Sequence, residues 1–96
     1  MVQSAQKDGR LVFQFGGCLD TRECNRIEQE VLQKAQAAAQ PVVFDLAGVD
    51  FVASAFLRLC ITVQQKSPGN QLALVNVCPL IKKVFKIAGL DKFVVP

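Results

Sequence analysis

From Pro41 the chain reads Val42-Val43-Phe44-Asp45-Leu46, a nearly continuous run of β-forming apolar residues that does not alternate with polar ones. A strand of that kind has no polar face to give to water, so it is expected at the centre of a sheet, covered on both faces. Leu72-Ala73-Leu74-Val75-Asn76-Val77 has the same character, and Leu11-Val12-Phe13-Gln14-Phe15 is a shorter strand closed by Gly16-Gly17. Sheets built from such segments need helices laid against them.

The intervening segments supply those helices. Asp20 with Glu23 three residues later is a D-x-x-E variant of the capping box. Cys24, Ile27, Val31, Ala35 and Ala38 then recur on one face of a helix expected to run to about Ala39, before Pro41. Gly48-Val49-Asp50 reads as a loop leading through Phe51-Val52-Ala53 into a second helix from Ser54. That helix ends before the turn signal Ser67-Pro68-Gly69-Asn70. A third helix has Pro79 at its first position and Gly89 as its C′ residue, with Leu90 folding back toward Phe85. Phe93-Val94-Val95 closes the chain as a short strand, and residues 1–8 form an edge strand or a tail. The order (β)β-α-β-α-β-α-β predicts an α/β fold in one domain spanning residues 1–96, with Phe44, Leu46, Leu74 and Ile27 in one core.

Much chemistry is excluded by what the chain lacks. It has no histidine, which removes Ser-His and Cys-His dyads and most metal sites. The spacing of Cys18, Cys24, Cys60 and Cys78 fits neither zinc binding nor a C-x-x-C redox pair, and the four thiols suit a reducing compartment. Neither common Gly-rich phosphate loop occurs, and the scattered carboxylates, Asp20 and Asp50 included, make no acid–base pair or metal site. The sequence therefore points to no enzyme, metal or cofactor. No apolar run approaches the roughly 20 residues of a membrane helix, and MVQSAQKDGR has no secretory hydrophobic region, which together favour the cytoplasm. Net charge is +3, and the whole excess lies in residues 78–96, where Lys82, Lys83, Lys86 and Lys92 face only Asp91. With no Tyr, Trp or Arg cluster beside them, these lysines read as a solvated helix face and not a nucleic-acid surface.

One hydroxyl stands in an informative place. The chain has three serines, of which Ser4 falls in the possible tail and Ser67 in a turn, while Ser54 opens a helix directly after a strand. Such a serine can act as an N-cap, contributing about 0.5–2 kcal/mol. The same geometry tolerates a phosphoryl group, because a helix N-terminus stabilises negative charge. Both readings of Ser54 follow from the residues.

Gly17-Cys18-Leu19-Asp20, the stretch from Pro41 to Phe51, Val52-Ala53-Ser54-Ala55-Phe56-Leu57 and Ala88-Gly89-Leu90 together resemble a STAS domain of the bacterial anti-sigma-factor-antagonist type. In that family the four stretches match a G-x-L-D entry to the first helix, an apolar strand, a D-S-[SA]-G-L motif and the end of helix three. The resemblance spans roughly residues 9–93 and rests on order and spacing. It implies a curved mixed sheet of four to five strands with three helices mainly on one face. It also implies a partner switch. Ser54 would be the phosphoacceptor of an anti-sigma factor with serine kinase activity, a metal-dependent serine phosphatase would reverse the step, and only the unmodified form would bind. The docking surface expected around it comprises Asp20, Asp50, Ala53, Ala55, Phe56 and Leu59.

Two positions depart from the family motif: Ala53 stands where the family has Asp, and Phe56 where it has Gly. Retained Ser54 favours the switched antagonist; Ala53 and Phe56 favour an unswitched adaptor subunit of a signalling or transport complex. Along the second helix Leu57, Cys60, Ile61 and Gln64 form one stripe, expected to face the sheet. Phe56, Leu59 and Val63 form another, expected to be partly exposed, with Phe56 either an aromatic anchor for the partner or folded over a neighbouring element.

Overall fold

A computed structural model describes residues 2–38, 40–66 and 72–95. Its elements in chain order are β1 (Val2–Lys7), β2 (Arg10–Leu19), α1 (Thr21–Ala38), β3 (Val42–Val52), α2 (Ser54–Lys66), β4 (Leu72–Val75), α3 (Pro79–Ile87) and a 3₁₀ turn, Asp91–Phe93. The sheet runs β1-β2-β3-β4, with β1 antiparallel to β2 and the other pairs parallel. This is the α/β architecture expected: a four-stranded mixed sheet with three helices.

Residues 2–7 are a true edge strand, and Ser4 lies on it, its hydroxyl accepting a 3.0 Å hydrogen bond from Lys34 Nζ of α1. The local signal is Asp8-Gly9, whose backbones sit at φ 53° and 76°. Two consecutive residues at positive φ are what a two-residue type I′ hairpin requires, and Lys7 pairs Arg10 across it.

β2 and β3 run further than the sequence reading placed them. Gly16-Gly17 does not close β2, which continues to Leu19, and Gly48-Val49-Asp50 is strand and not loop. The reason lies in two register shifts. Gln14 pairs Asp45 but Gly16 pairs Gly48, and Gly17 pairs Val49 but Cys18 pairs Phe51, so β3 carries one extra residue at each step. Gly17, at φ 75°, provides the backbone freedom at the second shift. Inward-facing residues of β3 therefore fall at Val42, Phe44, Leu46, Val49 and Val52, spaced by two and then by three.

The core lies between the sheet and the helices. Cys24, Ile27, Val31 and Ala35 of α1, Phe56, Leu59, Cys60 and Val63 of α2, and Ile81 and Phe85 of α3 meet the inward strand residues in one cluster. Phe44, Leu46, Leu74 and Ile27 all belong to it, as expected. The β3 run is central but has helices over one face only. Val43 and Asp45 look the other way, with Val12, Gln14 and Asp45 among the residues lining a shallow hollow on that open face. Val43 is nevertheless buried.

Five phenylalanines tie the layers together. Phe15 packs edge-on against Phe44 at 4.9 Å and against Phe56 at 5.3 Å, Phe13 packs against Phe44 at 5.7 Å, and Phe56 reaches Phe85 at 6.5 Å. Phe56 is 0% exposed and Leu59 3%. The expected phase of α2 is thus reversed. The inward stripe is Phe56, Leu59, Cys60 and Val63, while Leu57 is half-buried, Ile61 is exposed and Gln64 accepts the Leu72 backbone N–H at 3.0 Å. The physical reason is size: the largest ring on the helix fills the space between Phe15, Phe44 and Phe85, which no residue of the other stripe would fill.

α3 ends as expected, with the Leu90 N–H donating to Phe85 O at 2.8 Å and the Gly89 N–H to Lys86 O at 3.1 Å, the two bonds of a Schellman motif. The closing strand does not form. Residues 91–93 make a 3₁₀ turn, and the sheet gains only a single bridge, Leu74 to Val94, with the Val95 N–H donating to Leu74 O. Asn76, at φ 56°, ends β4 before Val77. The expected helix end near Ala39 and the turn Ser67-Pro68-Gly69-Asn70 lie outside the described residues.

Removing the Phe56 ring should destabilise the fold by about 3–5 kcal/mol, as core Phe truncations do. Phe51→Ala, at a side chain 49% exposed, should cost about 1 kcal/mol or less. Chemical denaturation of the two variants checks both values, and comparable losses would disprove the assignment of Phe56 to the core.

Candidate functional site

The last pair of the β2–β3 ladder is Leu19 with Val52, and just beyond it the Ala53 N–H donates to Leu19 O at 2.9 Å. That bond sets the two strand-to-helix turns side by side. Asp20 follows Leu19 into α1 and Ser54 follows Ala53 into α2, so both stand at the carboxyl ends of adjacent parallel strands. In open α/β sheets this is the edge where ligands and partners dock.

Ser54 is exposed, as its position suggested, but it does not cap α2. The Ala53 carbonyl accepts from Phe56 N–H at 2.9 Å and from Leu57 N–H at 3.4 Å, which makes Ala53 the N-cap and Ser54 the first helical residue. Among the described residues the Ser54 hydroxyl has no hydrogen-bond partner. Its outward direction follows from Phe56. Two residues along a helix turn through about 200°, so burying Phe56 points Ser54 at solvent.

Asp20 and Asp50 are exposed at this edge, and Ala53 and Ala55 are half-buried. Asp20 does cap its helix, its Oδ1 accepting the Glu23 N–H at 2.8 Å. Glu23 in turn accepts Arg26 Nε at 3.0 Å and Nη2 at 2.7 Å, and this guanidinium is the largest of the influences that hold the Glu23 carboxyl down at about 2. Phe56 and Leu59 are corrections to the expected docking surface: both are core, and neither presents a side chain to a partner. The exposed aromatic of this edge is Phe51, with exposed Cys18 opposite it. Alternation continued from Val49 would have hidden Phe51. The extra residue opposite Gly17-Cys18 instead turns Asp50 and Phe51 both outward, a signal that only the spacing of Val49 and Val52 carries.

Other polar groups have structural employment. Asp45 accepts the Ala47 N–H at 3.0 Å and Asn76 Nδ2 at 3.1 Å, tying β3 to the residue that follows β4. Cys24 and Cys60 are buried, and burial raises both thiols above their ordinary range. Among the described residues no group of three His, Cys, Asp or Glu side chains could hold a metal ion. No described helix is long and apolar enough to cross a membrane.

Residues 2–96 match the family described as "Mlab, STAS domain". The chain is 29% identical over 84 residues to a protein of Bordetella bronchiseptica named "Putative anti-sigma factor antagonist BtrV", covering 85% of this chain and 72% of that one. Its fold superposes on an anti-sigma factor antagonist from Mycobacterium paratuberculosis with a TM-score of 0.86 at 24% identity, covering 100% of this chain and 85% of the other. The Bacillus cell fate determinant SpoIIAA in its phosphorylated form gives 0.77 at 19% identity, covering 99% and 89%.

Ser54→Ala should leave stability within about 0.5 kcal/mol of wild type, since the hydroxyl caps nothing, whereas Asp20→Ala should lose about 1 kcal/mol. Equal losses in urea titrations would contradict the division of capping roles. The depressed Glu23 group contributes stability that is complete above the ordinary glutamate range, about 4.3, and is lost as pH falls toward its folded value near 2. Glu23→Gln should therefore flatten that part of the acid limb in a stability-against-pH series. An unchanged limb would mean the Arg26 pair contributes nothing.

Proposed function

The chain belongs to the STAS domain family, and on that premise we propose that it is an anti-sigma-factor antagonist switched by phosphorylation of Ser54. Its partner is an anti-sigma factor with serine kinase activity, bound when Ser54 is unmodified and released when it is modified; a metal-dependent serine phosphatase restores the bound form. The protein would work in the cytoplasm, without catalytic activity of its own. What supports this reading most is the state of Ser54: an exposed hydroxyl with no partner among the described residues, at the first turn of a helix anchored by a fully buried ring. Among the described residues a kinase would break no hydrogen bond of that hydroxyl in reaching it. The name of the Bordetella relative agrees with the antagonist role.

The surface that would meet the partner is Asp20, Asp50, Phe51, Ala53, Ser54 and Ala55. Phe51, and not buried Phe56, takes the part of aromatic anchor. A phosphoryl group on Ser54 adds about −1.5 to −2 charge beside two exposed carboxylates, which disfavours any partner whose contact surface is apolar or acidic. Ala53 supports the second reading, an unswitched adaptor, because no acid stands beside the hydroxyl where the family motif has one.

Incubated with its cognate kinase and ATP, the wild-type chain should gain the mass of one phosphoryl group and Ser54→Ala none. Ser54→Ala should keep partner affinity and Ser54→Asp should weaken it, with Phe51→Ala costing about tenfold or more. A wild-type chain that binds the partner but gains no mass would replace the switch with the adaptor.

A further inference from the structure

A strong charge asymmetry lies on α3. Ile81 and Phe85 enter the core, Val84 packs half-buried against it, and the other residues of the nine-residue helix are exposed. At about 100° per residue, Lys82, Lys86, Lys83, Ile87 and Leu80 follow one another around an arc of about 160°. Ile87 is 88% exposed and Leu80 67%, the two most exposed large apolar side chains described. Among the described residues none of Lys82, Lys83, Lys86 and Lys92 is in an ion pair. Between α3 and the 3₁₀ turn lies an open hollow of about 500 Å³, lined by Pro79, Lys82, Lys83, Lys86, Asp91 and Val94. Three ammonium groups face one carboxylate there.

We propose that this face of α3 seats on the surface of an anionic lipid bilayer, with Leu80 and Ile87 entering the acyl boundary and the lysines meeting headgroup phosphates. Charge complementarity selects an anionic occupant. The residue types select lipid over an acidic protein: protein interfaces are depleted in lysine and anchored by Trp, Tyr and Arg, and this arc has none of the three. Lysines act as point charges that meet phosphate without fixed geometry, and their stems reach from an apolar boundary to the headgroups. Aliphatic side chains on one flank and cations on the other is the layout of a helix lying in the interfacial plane. The contact is peripheral and reversible, since each lysine near such a surface contributes modestly and two aliphatic side chains anchor weakly. It uses none of the residues proposed for the switch.

The test is sedimentation of the whole chain with vesicles of phosphatidylcholine alone or with about one-third phosphatidylglycerol. Binding is expected on the anionic vesicles only, and should be lost at about 0.5 M salt. Lys82→Glu/Lys83→Glu/Lys86→Glu should weaken it by about 100-fold or more, and Leu80→Ser/Ile87→Ser by about tenfold. Thermal melting should show both variants folded, because the altered side chains are outside the core; Lys→Gln replacements at the same three positions serve if charge reversal unfolds the chain. Binding that ignores vesicle charge, or that survives either set of substitutions, overturns the proposal. Retention on polyglutamate without retention on anionic vesicles also overturns it and assigns the face to an acidic protein.

Discussion

The contact between Phe56 and the rings of Phe15 and Phe44 sets the position of α2 on the sheet, and much of the functional edge follows from it. Phe56 also reaches Phe85 of α3, so a single side chain links two strands and two helices. Burying a phenylalanine contributes about 1.5–3 kcal/mol, more than a single surface residue of α2 can offset. The rotation of the helix about its axis is therefore decided by where this ring goes. With Phe56 inward, Cys60 and Val63 fall inward at i+4 and i+7, and Ser54 must face outward.

The second constraint is the irregularity of β3. Two extra residues relative to β2 lengthen the strand and shift its inward positions from a spacing of two to a spacing of three. The first half of the strand thus builds core in the ordinary way. The second half delivers Asp50 and Phe51 together to the outer surface, directly ahead of the turn into α2. Bulges commonly re-aim side chains beside functional sites, and here the glycines Gly16, Gly17 and Gly48 accommodate one. Gly16 and Gly48 lie opposite each other, and a side-chain carbon built on Gly48 would already touch the Gly16 backbone at 3.6 Å.

These two features also explain what the sequence disclosed and what it hid. The three helices and the strands β2, β3 and β4 between them, the capping by Asp20 and the Schellman ending at Gly89 were legible because each rests on local chemistry within a short stretch of chain, whereas the expected closing strand is a 3₁₀ turn. The phase of α2 was not legible. Its apolar residues cover about 200° of arc, so two stripes competed, and only the cavity between Phe15, Phe44 and Phe85 decides between them. The bulges were hidden for a similar reason. A run of glycine and apolar residues reads as a strand end followed by a loop unless the partner strand is known, and the pairing of Gly17 with Val49 is a property of two segments 32 positions apart. Asp8-Gly9 was a local hairpin signal that marks β1 as a strand and removes the alternative of a tail.

The position of Ser54 bears on how a switch built on it would act. A modification can work by breaking native contacts or by changing the surface a partner meets. Among the described residues the Ser54 hydroxyl makes no hydrogen bond, so its modification has no native bond to break. Its helix is pinned two residues later by a ring with no solvent exposure, and the helix N-terminus favours the added negative charge. Both circumstances oppose movement of the backbone on modification. On the proposed reading, control is then exerted by charge and bulk at a fixed edge that also carries exposed Asp20, Asp50 and Phe51, and the two forms differ in what they repel more than in their shape. The substitution of Phe for Gly in the family motif contributes to this. It places the anchor of α2 inside the protein, where a partner cannot reach it, and on the proposed reading Phe51 of β3 is the exposed aromatic that a partner would meet.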